Sequence, residues 1–476
     1  AQAGIHAGEI DGKDAGLMLL RDMTVRGTRG VLLERTNFLF IPILSVDGHE
    51  RFSAHNRINQ RGPVEMGWRT NARNLNLNRD YTKLETEEIR AVVATINAWQ
   101  PDLYIDLHVT DGADYQYDIT WGTTPDFAWS PAISRYLEGV VDPAVQARLR
   151  AMDHVPGPLM WPVNDRDFAD GNLSWTGTPR FSQIYGAVRH LPSILVENHS
   201  LKPYDQRVLG TYLFLESVLD VVGRNPDALR EAMARDRSAR AQRVTLAWQR
   251  KDPPTREIRT VEAISAERYD SPISGDTVVR WTGERLAAPM PFLLEDEPAV
   301  VVERPAAYYI PAAWSHVAEK LRLHGIAVER LVEPTTIEAT MYRLPEARAA
   351  DSASAFDQRG ALYEGRVRIE PGKLIAEQAT VELPAGSFRA GTDQPLGDLL
   401  VLLLEPESPD SLFQWGFFLE ILTRAEYAEP YVMEPMARAM LEADAALARQ
   451  FNTKLESDPE FAGSPDARLD WFYRRT

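Results

Sequence analysis

The spacing of apolar residues changes several times along the chain, and each change predicts an element. Residues 10–23 set Leu17, Leu19 and Leu20 among Asp11, Lys13 and Asp14, which is helical spacing, and Gly27 and Gly30 end it. Residues 31–34 and 38–44 are short apolar runs that predict strands. Residues 47–72 are polar and punctuated by Gly48, Gly62, Pro63 and Gly67, so they predict a long loop, of the kind that commonly carries function. A helix is predicted from Thr82 to Trp99. Thr82 and Glu85 have capping-box spacing, Glu87 and Glu88 suit the positive end of the helix dipole, and Pro101 follows the stop. Residues 103–108 and 193–197 are apolar runs that end in His108 and Glu197. Strand, helix, strand alternation predicts an α/β fold with a mostly parallel mixed sheet flanked by helices.

Residues 110–180 are rich in Trp, Asp, Gly and Pro and predict irregular walls around a site. Residues 181–188 and 211–222 predict helices. The Arg-rich stretch 223–258 predicts a charged helical connector with a solvated face. Alternation over 256–303, a strand–helix–strand pattern over 308–331 and further alternation over 362–405 predict a β-rich region. Residues 430–456 and 465–473 predict helices. The expected domains are therefore 1–222, the connector 223–258, a β-rich accessory region 259–429 and a helical tail 430–476.

A chain of 476 residues has room for two or three domains. Its 52 Lys and Arg against 69 Asp and Glu give a net charge of −17, which disfavours nucleic acid and anionic membrane as partners. There is no cysteine, so disulfides and thiolate ligands are excluded and any metal must rest on His, Asp or Glu. No apolar run reaches the length of a membrane span, and the glycines form no nucleotide-binding loop.

Candidate chemistry gathers in a few short motifs. His6-Ala7-Gly8-Glu9 lets one turn aim an imidazole and a carboxylate at one metal. Trp68-Arg69-Thr70 and Asn78-Arg79 supply cations, and His108 and Glu197 stand at strand ends. In this order, and with Ser45-Val46-Asp47-Gly48 as a turn before them, the motifs resemble the zinc carboxypeptidase family, the carboxypeptidase A-like metallopeptidases, over residues 1–222. The resemblance implies that His6, Glu9 and His108 bind zinc, leaving a coordination position open for water. It implies Glu197 as general base, Arg69 as the group that stabilises the oxyanion, and Asn78 with Arg79 as the grip on a substrate carboxylate.

Asn76 stands where the family often has an Asp that orients the first histidine. Asp106 shares the face of His108 by strand alternation and is a candidate to orient that ring. Neither Tyr117 nor Tyr185 securely matches the family's substrate-capping tyrosine, and His199 is expected at the surface. Only five residues precede His6, so the strands that come before this motif in the family are expected to be missing from this chain. The expected activity is zinc-dependent removal of C-terminal residues from peptides. A deacylase of N-acyl amino acids, like aspartoacylase and succinylglutamate desuccinylase, and a catalytically silent binding protein stay open. The expected partner is a peptide or acyl amino acid with a free carboxylate, and the family resemblance suggests a periplasmic or secreted location.

Overall fold

The computed structural model describes residues 1–476 except 111, 165, 344–347, 350–366, 369–373 and 423–425. Its organising element is a five-stranded sheet. In chain order the strands are β1 (Gln2–Ala3), β2 (Tyr104–Val109), β3 (Ile119–Gly122), β4 (Pro156–Pro158) and β5 (Ser193–Asn198). Their spatial order is β1-β2-β5-β3-β4. β1, β2 and β5 run parallel, β3 lies antiparallel to β5, and β4 follows β3 in parallel. The sheet is thus mixed and mainly parallel, as expected.

All six residues of β2 are buried, as a central strand covered on both faces requires. Ile105, Leu107, Ile194 and Val196 turn to one face, where α1 (Asp11–Thr24) and α4 (Tyr204–Arg224) cover them with Leu19, Phe214 and Val218. The alternate residues Asp106, His108 and Glu197 turn to the other face, which α2 (Glu87–Trp99) and α3 (Ser182–Val188) flank. Strand alternation therefore sends Ile105, Leu107, Ile194 and Val196 to one core and Asp106, His108 and Glu197 to the other face.

Several expected elements differ in kind. Residues 31–34 fall in a 3-10 turn, Gly30–Glu34. Residues 38–44 run beside β1 but form one bridge there, Ile41 to Gln2, and the Ala3 carbonyl that would continue a parallel ladder accepts from Leu44 instead. The cap of α2 is Thr86 rather than Thr82; its hydroxyl accepts the Ile89 N–H, while the buried Asp80 carboxylate takes the N–H groups of Glu85 and Thr86. Within 223–258 the helix Pro226–Ser238 gives way to a strand, Arg243–Gln249, whose Val244 and Leu246 are buried.

Two long hairpin strands, Arg256–Asp270 and Thr277–Leu294, follow as predicted. In the 362–405 stretch, part of which lies outside the described residues, Gly397–Leu404 is a buried helix rather than a strand. A short, fully apolar run does not distinguish the two, and its burial on all sides permits either. Leu399, Leu400 and Leu403 from this helix share a core with Ile89, Val93 and Tyr185 of the sheet domain. The compact unit accordingly extends from Ala1 to Phe418.

A second unit, Leu419–Thr476, is helical. The expected helix 430–456 breaks at Asp444, whose carboxylate accepts the N–H groups of Ala446 and Leu447 and starts a new helix. Met433, Phe461, Trp471 and Phe472 form that unit's core. Among the described residues no helix is long and apolar enough to cross a membrane.

Candidate metal centre

β1 is only two residues long, but its register against Asp106 and Leu107 is what delivers His6 to His108. Beyond it a tight turn, closed by the Glu9 N–H on the His6 carbonyl at 2.9 Å, turns both side chains inward. Gly8 is required there: a Cβ would lie 2.6 Å from the carbonyl of Gly67. A Cβ on Gly67 would in turn lie 2.7 Å from the Ala7 carbonyl, so the turn and the 53–67 loop meet backbone to backbone.

His6, Glu9 and His108 are all buried, and their ligand atoms lie within 4.8 Å of one another. Nδ1 of His6 is 3.0 Å from Oε1 of Glu9, and Nδ1 of His108 is 2.9 Å from Oε2. The far ring nitrogens are also engaged: Nε2 of His6 lies 3.1 Å from Oδ1 of Asn76, and Nε2 of His108 lies 2.8 Å from Oδ2 of Asp106. Asn76 Oδ1 also accepts the Asn78 N–H, which identifies that atom as the oxygen. The hydrogen-bond network therefore assigns the proton of each neutral ring to Nε2 and leaves both Nδ1 lone pairs aimed at the carboxylate.

That donor set fits a cation. Burial, and then the nearby cations Arg69, His108, Arg57 and Arg79, hold the His6 pKa well below the ordinary imidazole value. A neutral His6 that donates from Nε2 to Asn76 faces Glu9 lone pair to lone pair, which is repulsive unless a positive ion lies between them. His108 differs. Burial works against its charge, but the charge and hydrogen bond of Asp106, and the charge of Glu197, outweigh burial and raise its pKa. A metal here would displace the proton from Nδ1. Two nitrogens and one carboxylate oxygen are a donor set that zinc accepts.

The groups behind the ligands are as ordered as the ligands. Asp106 is fully buried; burial disfavours its charge, but His108, Ser182 and Gln2 hold its carboxyl below the usual range. Gln2 donates to it at 3.0 Å, and the Ser182 hydroxyl donates to its other oxygen. Asp106 thus engages the outer nitrogen of His108, and Asn76 that of His6. Asp106→Asn and Asn76→Ala are each expected to weaken metal binding by roughly 10–100-fold. Titration against a chromophoric chelator measures this, and unchanged affinity would show that other groups orient the rings.

The remaining expected residues surround this centre. Glu197 is paired in register with His108 and so shares its face, and its carbonyl accepts the Thr120 hydroxyl at 3.0 Å. Arg69 brings Nη1 to 3.8 Å from Glu9. Asn78 is buried and accepts the Ser182 N–H at 3.2 Å. Arg79 lies over the Phe181 ring at 4.3 Å, and Phe181 meets Trp175 edge-on at 4.6 Å.

One cation was not anticipated: Arg57, from the 47–72 loop, donates to Glu9. No spacing rule distinguishes it from the other arginines of that loop. His199 is not at the surface: it is buried, 2.9 Å from Asp114, with the Tyr115 ring tilted against it at 4.2 Å. Tyr185 is also buried, with its hydroxyl 2.7 Å from His324, which removes it as a capping residue. The Tyr117 hydroxyl accepts the Glu262 N–H at 3.0 Å. A cavity of about 480 Å³ opens near the start of β2, lined by Phe40, Trp99 and Leu219, and none of the metal-site residues lines it.

Residues 1–135 match the zinc carboxypeptidase family. The match includes His6, Glu9, Arg69, Asn78, Arg79 and His108 and ends before Glu197, and it bears out the resemblance carried by the motifs. Carboxypeptidase 2 of Trichophyton rubrum is 23% identical over 431 residues, spanning 87% of this chain and 73% of that protein. Carboxypeptidase 2 of Trichophyton equinum is 23% identical over 436 residues, with the same coverage. Among solved structures, a metallo-carboxypeptidase from Pseudomonas aeruginosa aligns over 48% of this chain and 57% of its own, at 17% identity and a TM-score of 0.34. One from Burkholderia cenocepacia aligns over 46% and 56%, at 16% identity and a TM-score of 0.35.

Proposed function

We propose that this protein is a zinc-dependent carboxypeptidase that hydrolyses the C-terminal peptide bond of its substrates. The observation that carries the proposal is the buried trio of His6, Glu9 and His108, with two imidazole lone pairs and a carboxylate converging on one point. Zinc held there would supply a Lewis acid that polarises a carbonyl and acidifies water.

The chain's own groups do the rest. The Glu197 carboxylate takes a proton from the attacking water and passes it to the departing amine. Arg69, with Arg57 beside it, offers guanidinium hydrogens to the carbonyl oxygen as negative charge develops on it. Asn78 and Arg79 hold the substrate's terminal carboxylate, a task suited to a planar guanidinium that can donate two parallel hydrogen bonds. The matched relatives are fungal and lend no support to a periplasmic location, so secretion is the location proposed.

Peptides with free and amidated C-termini test the proposal. Cleavage confined to free termini is expected, with Arg79→Ala lowering kcat/KM on them by roughly 10–100-fold, as for a lost charged hydrogen bond. Cleavage of N-acyl amino acids alone would assign the protein as a deacylase instead. Bound metal with no turnover on either panel would identify a binding protein.

A further inference from the structure

The residues after 250 are not confined to a region remote from the centre. The strand Asn172–Ser174 pairs with Phe292–Leu294 of the long hairpin. Just beyond it, the Thr176 N–H and hydroxyl both donate to Glu295, at 3.1 and 2.8 Å. Further on, the fully buried Asp410 accepts the Arg180 backbone N–H at 2.8 Å and its Nε–H at 2.6 Å. Residues 180–182 therefore carry three consecutive connections: Arg180 to Asp410, Phe181 to the Arg79 guanidinium, and Ser182 to Asn78 and Asp106.

The same segment reaches the other side of the subsite. Trp415 is buried, and its indole N–H donates to the Thr82 hydroxyl at 3.1 Å. Its ring is covered by Lys83 at 4.4 Å and by Arg180 at 4.9 Å. Thr82 and Lys83 follow Asn78 and Arg79 within five residues. Residues 410–415 thus grip both chain segments that hold the groups assigned to the substrate carboxylate. Asp410 also pairs with the Arg180 guanidinium, one residue before the Phe181 ring on which Arg79 lies.

We infer that residues 410–415 form the backing wall behind the substrate-carboxylate subsite, with Asp410 as a positioning residue that acts through Arg180 and Phe181 on Asn78 and Arg79. The inference rests on the carboxypeptidase reading and gives the C-terminal part of the first unit a role in substrate binding. Asp410→Ala is expected to raise KM on free-terminus peptides about 5–10-fold, with kcat within twofold and metal content unchanged. Asp410→Asn, which keeps an acceptor for the Arg180 N–H and loses the charge, should restore part of the KM. If the alanine variant does not fold, the asparagine variant alone carries the comparison.

Binding of N-acetylphenylalanine, measured by calorimetry, separates this inference from the reading beneath it. Weaker binding in the Asp410 variant supports the wall even if no peptide is cleaved. An active wild type whose KM and probe affinity are unmoved by Asp410→Ala overturns the wall and leaves the carboxypeptidase standing. Parallel loss of kcat, metal and thermal stability would make Asp410 merely structural and overturn the inference. A wild type that neither cleaves peptides nor binds the probe overturns both.

Discussion

Glu197→Gln is expected to reduce kcat by about 10²–10⁴-fold, the usual contribution of a positioned general base, while metal stays bound. The substitution keeps the shape and removes the ability to take a proton. Glu197 sits opposite His108 in the strand register, so its carboxylate shares the metal face of the sheet. It is not among the three converging ligands, so loss of its charge should leave metal content at the wild-type level. Metal analysis beside steady-state kinetics on one peptide checks both parts. A variant that keeps kcat within a few fold would remove Glu197 as the base and direct the search to another proton acceptor.

His108→Ala is expected to abolish turnover and to weaken metal binding by more than the roughly 10–100-fold assigned to an orienting group. It removes one of only three protein ligands from a catalytic-type site, and the shared Glu9 cannot replace it. It also leaves Asp106, a fully buried carboxylate, without its strongest partner. Some loss of folding stability should therefore accompany the metal loss, since an unpaired buried charge costs several kcal/mol. Metal analysis after dialysis, with circular dichroism to confirm folding, separates the two effects. A folded variant that retains stoichiometric metal would show that the centre lies elsewhere.

Much of the site was legible because its parts are local. His6 and Glu9 are three residues apart, and a single turn satisfies both. His108 and Glu197 end apolar runs, and a period-two strand sends such ends, with Asp106, to one face. The α/β class followed from strand and helix alternation, which tertiary contacts reinforce rather than reverse. The absence of cysteine restricted candidate metal donors to His, Asp and Glu, the types that make up the converging trio.

Other features depend on partners far away in the chain. Arg57 reaches Glu9 across 48 positions from an irregular loop, where no periodicity directs a side chain. The burial of His199 comes from Tyr115 and Asp114 closing over a strand end that looks exposed on its own. The helix Gly397–Leu404 is apolar on all sides, so its spacing could not distinguish it from a strand; a core shared with α2 and α3 sets the outcome. Thr82 lost the cap of α2 because Asp80, six residues before the cap Thr86, offers a buried carboxylate to the Glu85 and Thr86 N–H groups, and Thr82 instead accepts from Trp415.

The division has one physical cause. Spacing within a turn or a strand specifies which side chains share a face, so His6 with Glu9, and Asp106 with His108, can be paired from residues a few positions apart. Which arginine reaches Glu9 and which distant segment backs the site depend on contacts across tens to hundreds of residues. Trp415 on Thr82, 333 positions apart, is the longest of the links on which the subsite inference depends, and only packing brings it there.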